Sequence, residues 1–259
     1  MVPYYFPEGM RYSTLEERKQ FYAQEFSLKK VSEWFIHGFA NTKFAVIIGR
    51  HTKIYPEKYK DDASTTIIVD VFKNLEDVRM QILEFLPEGV YYDRNIYDKN
   101  EHKIGQELAF DLDPENITCP IHGTLADKMN RKQGLSFCEL EFEMIKKEAI
   151  GLSDFLNTLF CDVRVVYSGR GFHIHVLDPK ACEMSSEERI NLARQAKQSG
   201  FHIDEWVTSG EFRLIRVPYS LNGLVSRIVL PLKKDELESF DALREKRCLP
   251  KFLEKEATS

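Results

Sequence analysis

Apolar side chains recur along the chain at two spacings, and the switches between them mark out its elements. Ser13-Thr-Leu-Glu-Glu opens a helix, with Ser13 or Thr14 placed as cap and carboxylates in the first turn ahead of Arg18-Lys-Gln-Phe-Tyr. Val31, Trp34, Phe35 and Gly38 keep helical spacing and predict a second helix over 28–39. Segments 43–48 and 65–71 are rich in β-branched residues and predict strands. An amphipathic helix is predicted over 75–86, stopped by Pro87 and Gly89, then a strand over 90–97 and an alternating strand over 107–113. From Pro114 to Phe137 the apolar period gives way to a polar, Gly- and Lys-containing segment, and a long helix resumes over 139–159. Strands over 163–167 and 172–177 flank a tight turn at 168–171. A helix from Ser185 to near Gly200, strands over 212–217 and 227–231, and a charged helix and tail over 233–259 complete the pattern. With no internal repeat, this predicts one mixed-sheet α/β domain over 1–259, with an insertion over 115–138.

Composition adds limits. The chain has 259 residues, 43% hydrophobic and 30% charged, enough to bury a sizeable core. It contains no apolar run long enough for a membrane span, and Met1-Val-Pro-Tyr-Tyr-Phe-Pro lacks the features of a signal peptide, so an intracellular, cytoplasmic protein without membrane contact is expected. Five cysteines, an odd number, suit a reducing compartment. The net charge of −5 offers no global basic field, so any polyanion must be met by a local cluster. Arg213, Arg216, Arg227, Lys233 and Lys234 provide one.

The chemistry begins at Glu107-Leu-Ala-Phe-Asp-Leu-Asp. On a strand, Asp111 and Asp113 share one face at roughly 7 Å, while Leu108, Phe110 and Leu112 enter the core. Two carboxylates so close repel unless protons, cationic side chains or hard divalent ions such as Mg²⁺ or Mn²⁺ offset the charge. A solvated strand end also carries Asp-x-Asp. In Tyr167-Ser-Gly-Arg-Gly-Phe-His-Ile-His-Val, Gly169 and Gly171 permit close backbone approach and Arg170 presents a guanidinium fork, both suited to a phosphate. His173 and His175 share one strand face, as surface histidines, a metal-binding pair or phosphate donors. Asp204, taken alone, reads as a cap or turn residue.

Glu16-Glu-Arg-Lys-Gln-Phe-Tyr, Gly49-Arg-His, Phe110-Asp-Leu-Asp, Ser168-Gly-Arg-Gly-Phe-His and Arg213-Leu-Ile-Arg-Val-Pro-Tyr-Ser-Leu-Asn-Gly, in this order, resemble the catalytic small subunit of archaeal and eukaryotic DNA primase, of the archaeo-eukaryotic primase superfamily. The resemblance implies an α/β primase fold with its active site on an open sheet face. It implies metal-binding carboxylates at Asp111, Asp113 and Asp204, and nucleotide or phosphate contacts at Ser168, Arg170, His173, Arg216 and Arg50. Asn222 stands where relatives usually have His, and it can donate through its amide but carries no charge. Relatives place a small zinc-binding subdomain after the Asp-x-Asp strand; Cys119, His122 and Cys138 are the candidates here, with Glu141 available in place of the usual closing Cys-x-x-Cys. The alternative is an ordinary loop with a buried Cys.

The function implied is template-directed nucleotidyl transfer making RNA or DNA primers on single-stranded DNA from nucleoside triphosphates, with two Mg²⁺ or Mn²⁺ ions and a primase large subunit as partner in the replication machinery. Asp111 and Asp113 are expected to bridge both ions, and Asp204 to hold the ion nearer the primer hydroxyl. A repair polymerase of the same superfamily and a degenerate subunit that binds template or nucleotide without catalysis are the alternatives. A haloacid dehalogenase-type phosphohydrolase fits poorly, since Glu115 occupies its Thr position and the motif lies mid-chain. A calcium loop fails because Asn116 stands where the turn Gly belongs.

Overall fold

The computed structural model describes residues 4–39, 41–69, 74–210 and 214–256. Along the chain run α1 (Leu15–Gln24), α2 (Leu28–Trp34), β1 (Phe44–Ile47), β2 (Thr66–Val69), α3 (Leu75–Phe85), β3 (Gly89–Asp93), β4 (Asn95–Tyr97), β5 (Lys103–Gln106) and β6 (Leu108–Leu112). There follow α4 (Leu125–Asn130), α5 (Glu139–Asn157), β7 (Val163–Tyr167), β8 (Phe172–Val176), α6 (Pro179–Cys182), α7 (Ser186–Gln198) and α8 (Glu205–Ser209). The last are β9 (Leu214–Arg216), β10 (Leu221–Asn222), β11 (Arg227–Ile228), β12 (Leu230–Leu232), α9 (Lys234–Leu237) and α10 (Lys251–Glu256). No helix among the described residues is long and apolar enough to cross a membrane.

The chain divides into two compact units. The first comprises residues 11–106, 212–230 and 244–259. Its sheet has the order β2-β1-β3-β9, antiparallel throughout, and the hairpins β4-β5 and β10-β11 belong to the same unit. Thr14 caps α1 in a capping box with Glu17, which leaves Ser13 free for another task. Its hydroxyl accepts from Arg18 Nε, while the Arg18 guanidinium also donates to the carbonyls of Ile48, Ile54 and Leu86 and to Thr52 Oγ1. Arg18 is fully buried; burial pulls its pKa down to about 10 against the opposing charge of Glu88. Five acceptors on a single buried cation tie the start of α1 to the loop leaving β1 and the loop entering β3, at one end of the sheet.

Three expectations change here. The helix predicted over 28–39 ends at Trp34, because Phe35 leaves the helical region to pack on Phe44 and Tyr92, and Gly38 with φ +76° turns the chain. The strand predicted over 90–97 breaks into β3 and β4, since the Asp93 carboxylate accepts the Asn95 amide at 3.1 Å and bends the backbone between them. The strand predicted over 227–231 splits as well: β11 pairs with β10, whereas β12 joins the sheet of the second unit. Of the strand expected over 212–217, Leu214–Arg216 is β9, and Phe212 and Arg213 lie outside the described residues, as do residues 70–71 of the strand expected over 65–71.

The second unit comprises residues 1–10, 107–211 and 231–243. Its sheet runs β12-β7-β8-β6, with β6 and β7 both antiparallel to β8. As the alternation along 107–113 predicts, Leu108, Phe110 and Leu112 are fully buried, each burial worth about 1.5–3 kcal/mol. Helix α5 turns Phe142, Ile145, Ala149, Leu152 and Leu156 inward at helical spacing, and Phe142 meets Phe172 and Tyr167 of the sheet. The polar segment 115–138 is less irregular than its lack of apolar period implies. It contains α4, started by a Thr124–Asp127 capping box.

Replacing Arg18 with Ala should destabilise the protein by about 3–5 kcal/mol, because three carbonyls lose a buried charged donor and Glu88 loses its counter-charge. Urea unfolding measures this, and a loss below about 1 kcal/mol would contradict the role given to Arg18.

Candidate active site

The pairing of β6 with β8 sets Asp111 opposite His173 and Ala109 opposite His175. Residues opposite one another in an antiparallel pair share a face, so His173 and Asp111 meet, with Nε2 3.6 Å from Oδ1. The turn joining β7 to β8 folds back onto the end of β6. Ser168 Oγ accepts the Gly171 amide at 3.1 Å, and a Cβ on Gly171 would lie 2.1 Å from the Leu112 carbonyl oxygen, so only glycine fits there. Asp113 lies at that contact, just past the strand, and the 3₁₀ turn Pro114–Asn116 begins behind it.

Asp204 arrives from the loop after α7. Its amide donates to the Asp111 carbonyl at 3.0 Å, and its Oδ1 accepts the Trp206 amide at 2.9 Å as cap of α8. The cap reading of Asp204 is therefore correct, and the same residue is docked on the carboxylate strand. Arg170 is 7% exposed and holds Glu115 through both terminal nitrogens, at 2.5 and 3.3 Å, over the Phe137 ring. Burial works against the Arg170 charge, but Glu115, Asp113 and Asp111 together more than offset it and drive the guanidinium pKa up. Three carboxylates thus share the charge of one arginine, and one of them, Asp111, also meets the edge of His173. That excess of negative oxygen suits a hard divalent cation. Glu115 escaped sequence reasoning as a member of this cluster; its spacing of two from Asp113 is the signal that was present.

A second donor cluster occupies the insertion. Cys119 and Gly123 bond each other through both backbone groups, forming a tight knuckle in which Gly123 adopts φ +78°. Cys119 Sγ lies 3.4 Å from His122 Nδ1 and 4.0 Å from Cys138 Sγ, and His122 Nδ1 lies 3.9 Å from Glu141 Oε2. One donor atom from each of these residues falls within 4.8 Å of all the others. A tetrahedral ion held at about 2.3 Å by sulfur and 2.0 Å by nitrogen spaces its ligands by roughly 3.3–3.8 Å, so the set fits one metal ion. Glu141 also accepts the Cys138 amide at 2.9 Å as part of the cap of α5, and its other oxygen is 2.5 Å from the fully buried Lys128 ammonium. Two thiolates, a carboxylate, a divalent ion and Lys128 sum to zero charge. Without a cation, burial and the charge of Glu141 push the Cys138 thiol up to about 11, and the Tyr5 hydroxyl, whose ring lies 4.8 Å from that of His122, up to about 12.

The chain is 53% identical to an uncharacterized DNA primase small subunit-like protein of Archaeoglobus fulgidus, across 97% of this chain and 95% of that protein. The chain belongs to the DNA primase small-subunit family. It is 30% identical to the DNA primase small subunit PriS of Pyrobaculum calidifontis over 64% of this chain and 67% of that one. No family model matches it. Among solved structures, the polymerase domain of Mycobacterium tuberculosis ligase D in complex with DNA superposes with a TM-score of 0.55 at 16% identity, covering 95% of this chain and 89% of that one. The mixed α/β fold with antiparallel sheets is accordingly the primase fold.

The remaining residues singled out by primase resemblance belong to the first unit. Arg216, opposite Tyr91 in the β3–β9 pairing, lies with its guanidinium 4.7 Å from the Tyr91 ring and donates to its hydroxyl at 2.7 Å. Arg50 is exposed on a turn fixed by Glu88, whose carboxylate accepts the amides of His51 and Thr52. Asn222 is 1% exposed, and its Oδ1 accepts the Leu224 amide at 3.2 Å within the β10–β11 hairpin. In the second unit His175 is fully buried, which removes it from the surface and phosphate-donor readings.

After equilibration with Zn²⁺ and removal of free metal, elemental analysis should find one equivalent, lost in Cys119→Ser and Cys138→Ser. Lys128→Met should weaken retention by about 10–100-fold in a chelator competition, because it strips the partner that orients Glu141. Background metal in the parent protein, or unchanged content in both Cys variants, would rule the cluster out.

Proposed function

We propose that this protein is the catalytic subunit of a DNA primase, joining nucleoside triphosphates on a single-stranded DNA template. One observation carries the reading: Asp111 and Asp113 act together on the buried Arg170, with His173 beside Asp111 and the backbone of Asp204 docked on the same strand. The names of the relatives and the polymerase-domain fold support it.

Asp111, Asp113 and Asp204 would hold two Mg²⁺ or Mn²⁺ ions, for which the excess of carboxylate oxygen is suited. Such ions would supply a lowered pKa at the attacking 3′ hydroxyl and stabilisation of the departing pyrophosphate. Arg170, clamped by Glu115, supplies a fixed positive charge that limits the repulsion among the acids and faces the phosphates. His173 orients a triphosphate oxygen next to Asp111, and the Ser168–Gly171 turn gives the phosphates a close backbone approach. Resemblance alone assigns Arg216 and Arg50 to nucleotide or template contact. Cys119, His122, Cys138 and Glu141 would hold a structural zinc ion. A large subunit is the partner that the designation of the relatives as small subunits points to.

The decisive assay combines the protein, single-stranded DNA, Mg²⁺ or Mn²⁺ and labelled ribo- or deoxyribonucleotides without primer. Short labelled products are expected. Asp111→Ala should reduce them by about 10²–10³-fold or more while leaving the thermal midpoint unchanged or raised, since like-charge repulsion is relieved. Undiminished synthesis by that variant would exclude the assignment. Product only when a primer is supplied would instead favour a repair polymerase.

A further inference from the structure

Behind the carboxylates, on the same face of the β6–β8 ladder, lies a second polar pair that nucleotidyl transfer does not use. His175 is fully buried, and its Nδ1 is hydrogen-bonded to a carboxylate oxygen of Glu107, itself only 7% exposed. Residues 107, 109 and 111 alternate onto this face. Ala109, directly opposite His175, is the small residue that leaves room for the imidazole. The backbone of Glu107 is fixed in turn: Arg189 of α7, held by the carbonyls of Ala181 and Met184, also reaches the Glu107 carbonyl at 3.4 Å.

An imidazole and a carboxylate at this depth pack no better than two apolar side chains and carry a desolvation cost before pairing. What they add is direction. The Glu107 carboxylate fixes the tautomer and ring plane of His175. The His175 ring meets His173 edge to face, with centroids 5.9 Å apart and planes at 62°. His173 is the imidazole whose Nε2 stands 3.6 Å from Asp111. The line Glu107, His175, His173, Asp111 therefore runs along one sheet face from a buried anchor to the metal-binding edge.

We propose that Glu107 and His175 are positioning residues that hold the His173 ring in the orientation needed to bind a nucleoside triphosphate. The inference rests on the proposed role of His173 at the triphosphate and adds the part of the molecule that orients it.

The test is a double-mutant cycle on the full chain, read as the dissociation constant of a fluorescent ribose-labelled ATP in the presence of Mn²⁺, which needs no turnover. Glu107→Ala should weaken binding by about tenfold, and Glu107→Gln, whose amide oxygen still accepts from Nδ1–H, should restore it to within about twofold. In a His173→Ala background, Glu107→Ala should have no further effect, because its influence passes through the ring already removed. Equal affinity of Glu107→Ala and the parent, or additive losses in the double variant, would overturn the proposal. Should Glu107→Ala fail to fold, His175→Phe, which fills the space without a ring N–H, takes its place in the same cycle. If His173→Ala alone leaves affinity unchanged, the role of His173 fails and the positioning role with it. If binding follows the cycle but no variant or parent synthesises product, the positioning role stands and the polymerase reading falls.

Discussion

The amide of Asp204 donates to the carbonyl of Asp111 at 3.0 Å, and the arrangement of the acidic site depends on this contact. The two residues lie far apart in sequence, so closing the loop between them costs entropy that a single bond does not offset. The closure is secured by the sheet and helices between them: β7 and β8 pair along their full length, α5 covers their apolar face, and α7 returns the chain to β6. Asp204 then arrives already committed as the cap of α8, and its backbone, rather than its carboxylate, makes the docking bond. The carboxylate keeps oxygen capacity for a cation.

Charge balance explains the neighbours of that site. Asp111, Asp113 and Glu115 would repel one another strongly in a partly buried setting, and Arg170 is the fixed counter-charge, wedged against Phe137 and gripped by Glu115. The insertion repeats the device with Lys128, fully buried against Glu141. At the strand edge the single arginine leaves the acids short of neutral, which favours a metal ion, whereas in the insertion Lys128 balances Glu141 and lets that carboxylate survive folding. In the first unit Arg18 serves backbone carbonyls in the same way, as a structural cation unrelated to any ligand.

The elements with a strong period were legible in the sequence. Helix α5, the β7–β8 hairpin and the alternating carboxylate strand fall where their patterns put them, because burial of one face dictates period and register together. The weaker elements were not. Helix α4 is short and its apolar residues mark no stripe, so only the Thr124–Asp127 capping pair announced it. The β4–β5 hairpin came from an Asp93 side chain that bends an otherwise continuous strand pattern. The apolar run 227–231 divides between two sheets, a partition that depends on which partner strand is nearby.

By itself the sequence determined that Asp111 and Asp113 share a face, that Gly169, Arg170 and Gly171 form a turn, and that Cys119 and His122 stand at ligand spacing. All of these are local, set by strand period, turn chemistry and short separation. Only the tertiary structure decided that Asp204 joins Asp111, that Arg170 is held by Glu115, that Glu141 and Lys128 complete the cysteine cluster, and that His175 is buried against Glu107 while His173 faces the acids. Those pairings link residues brought together by sheet order and helix packing, and the free energy that selects them comes from burying the apolar faces of α5 and its sheet, to which the polar residues themselves contribute little.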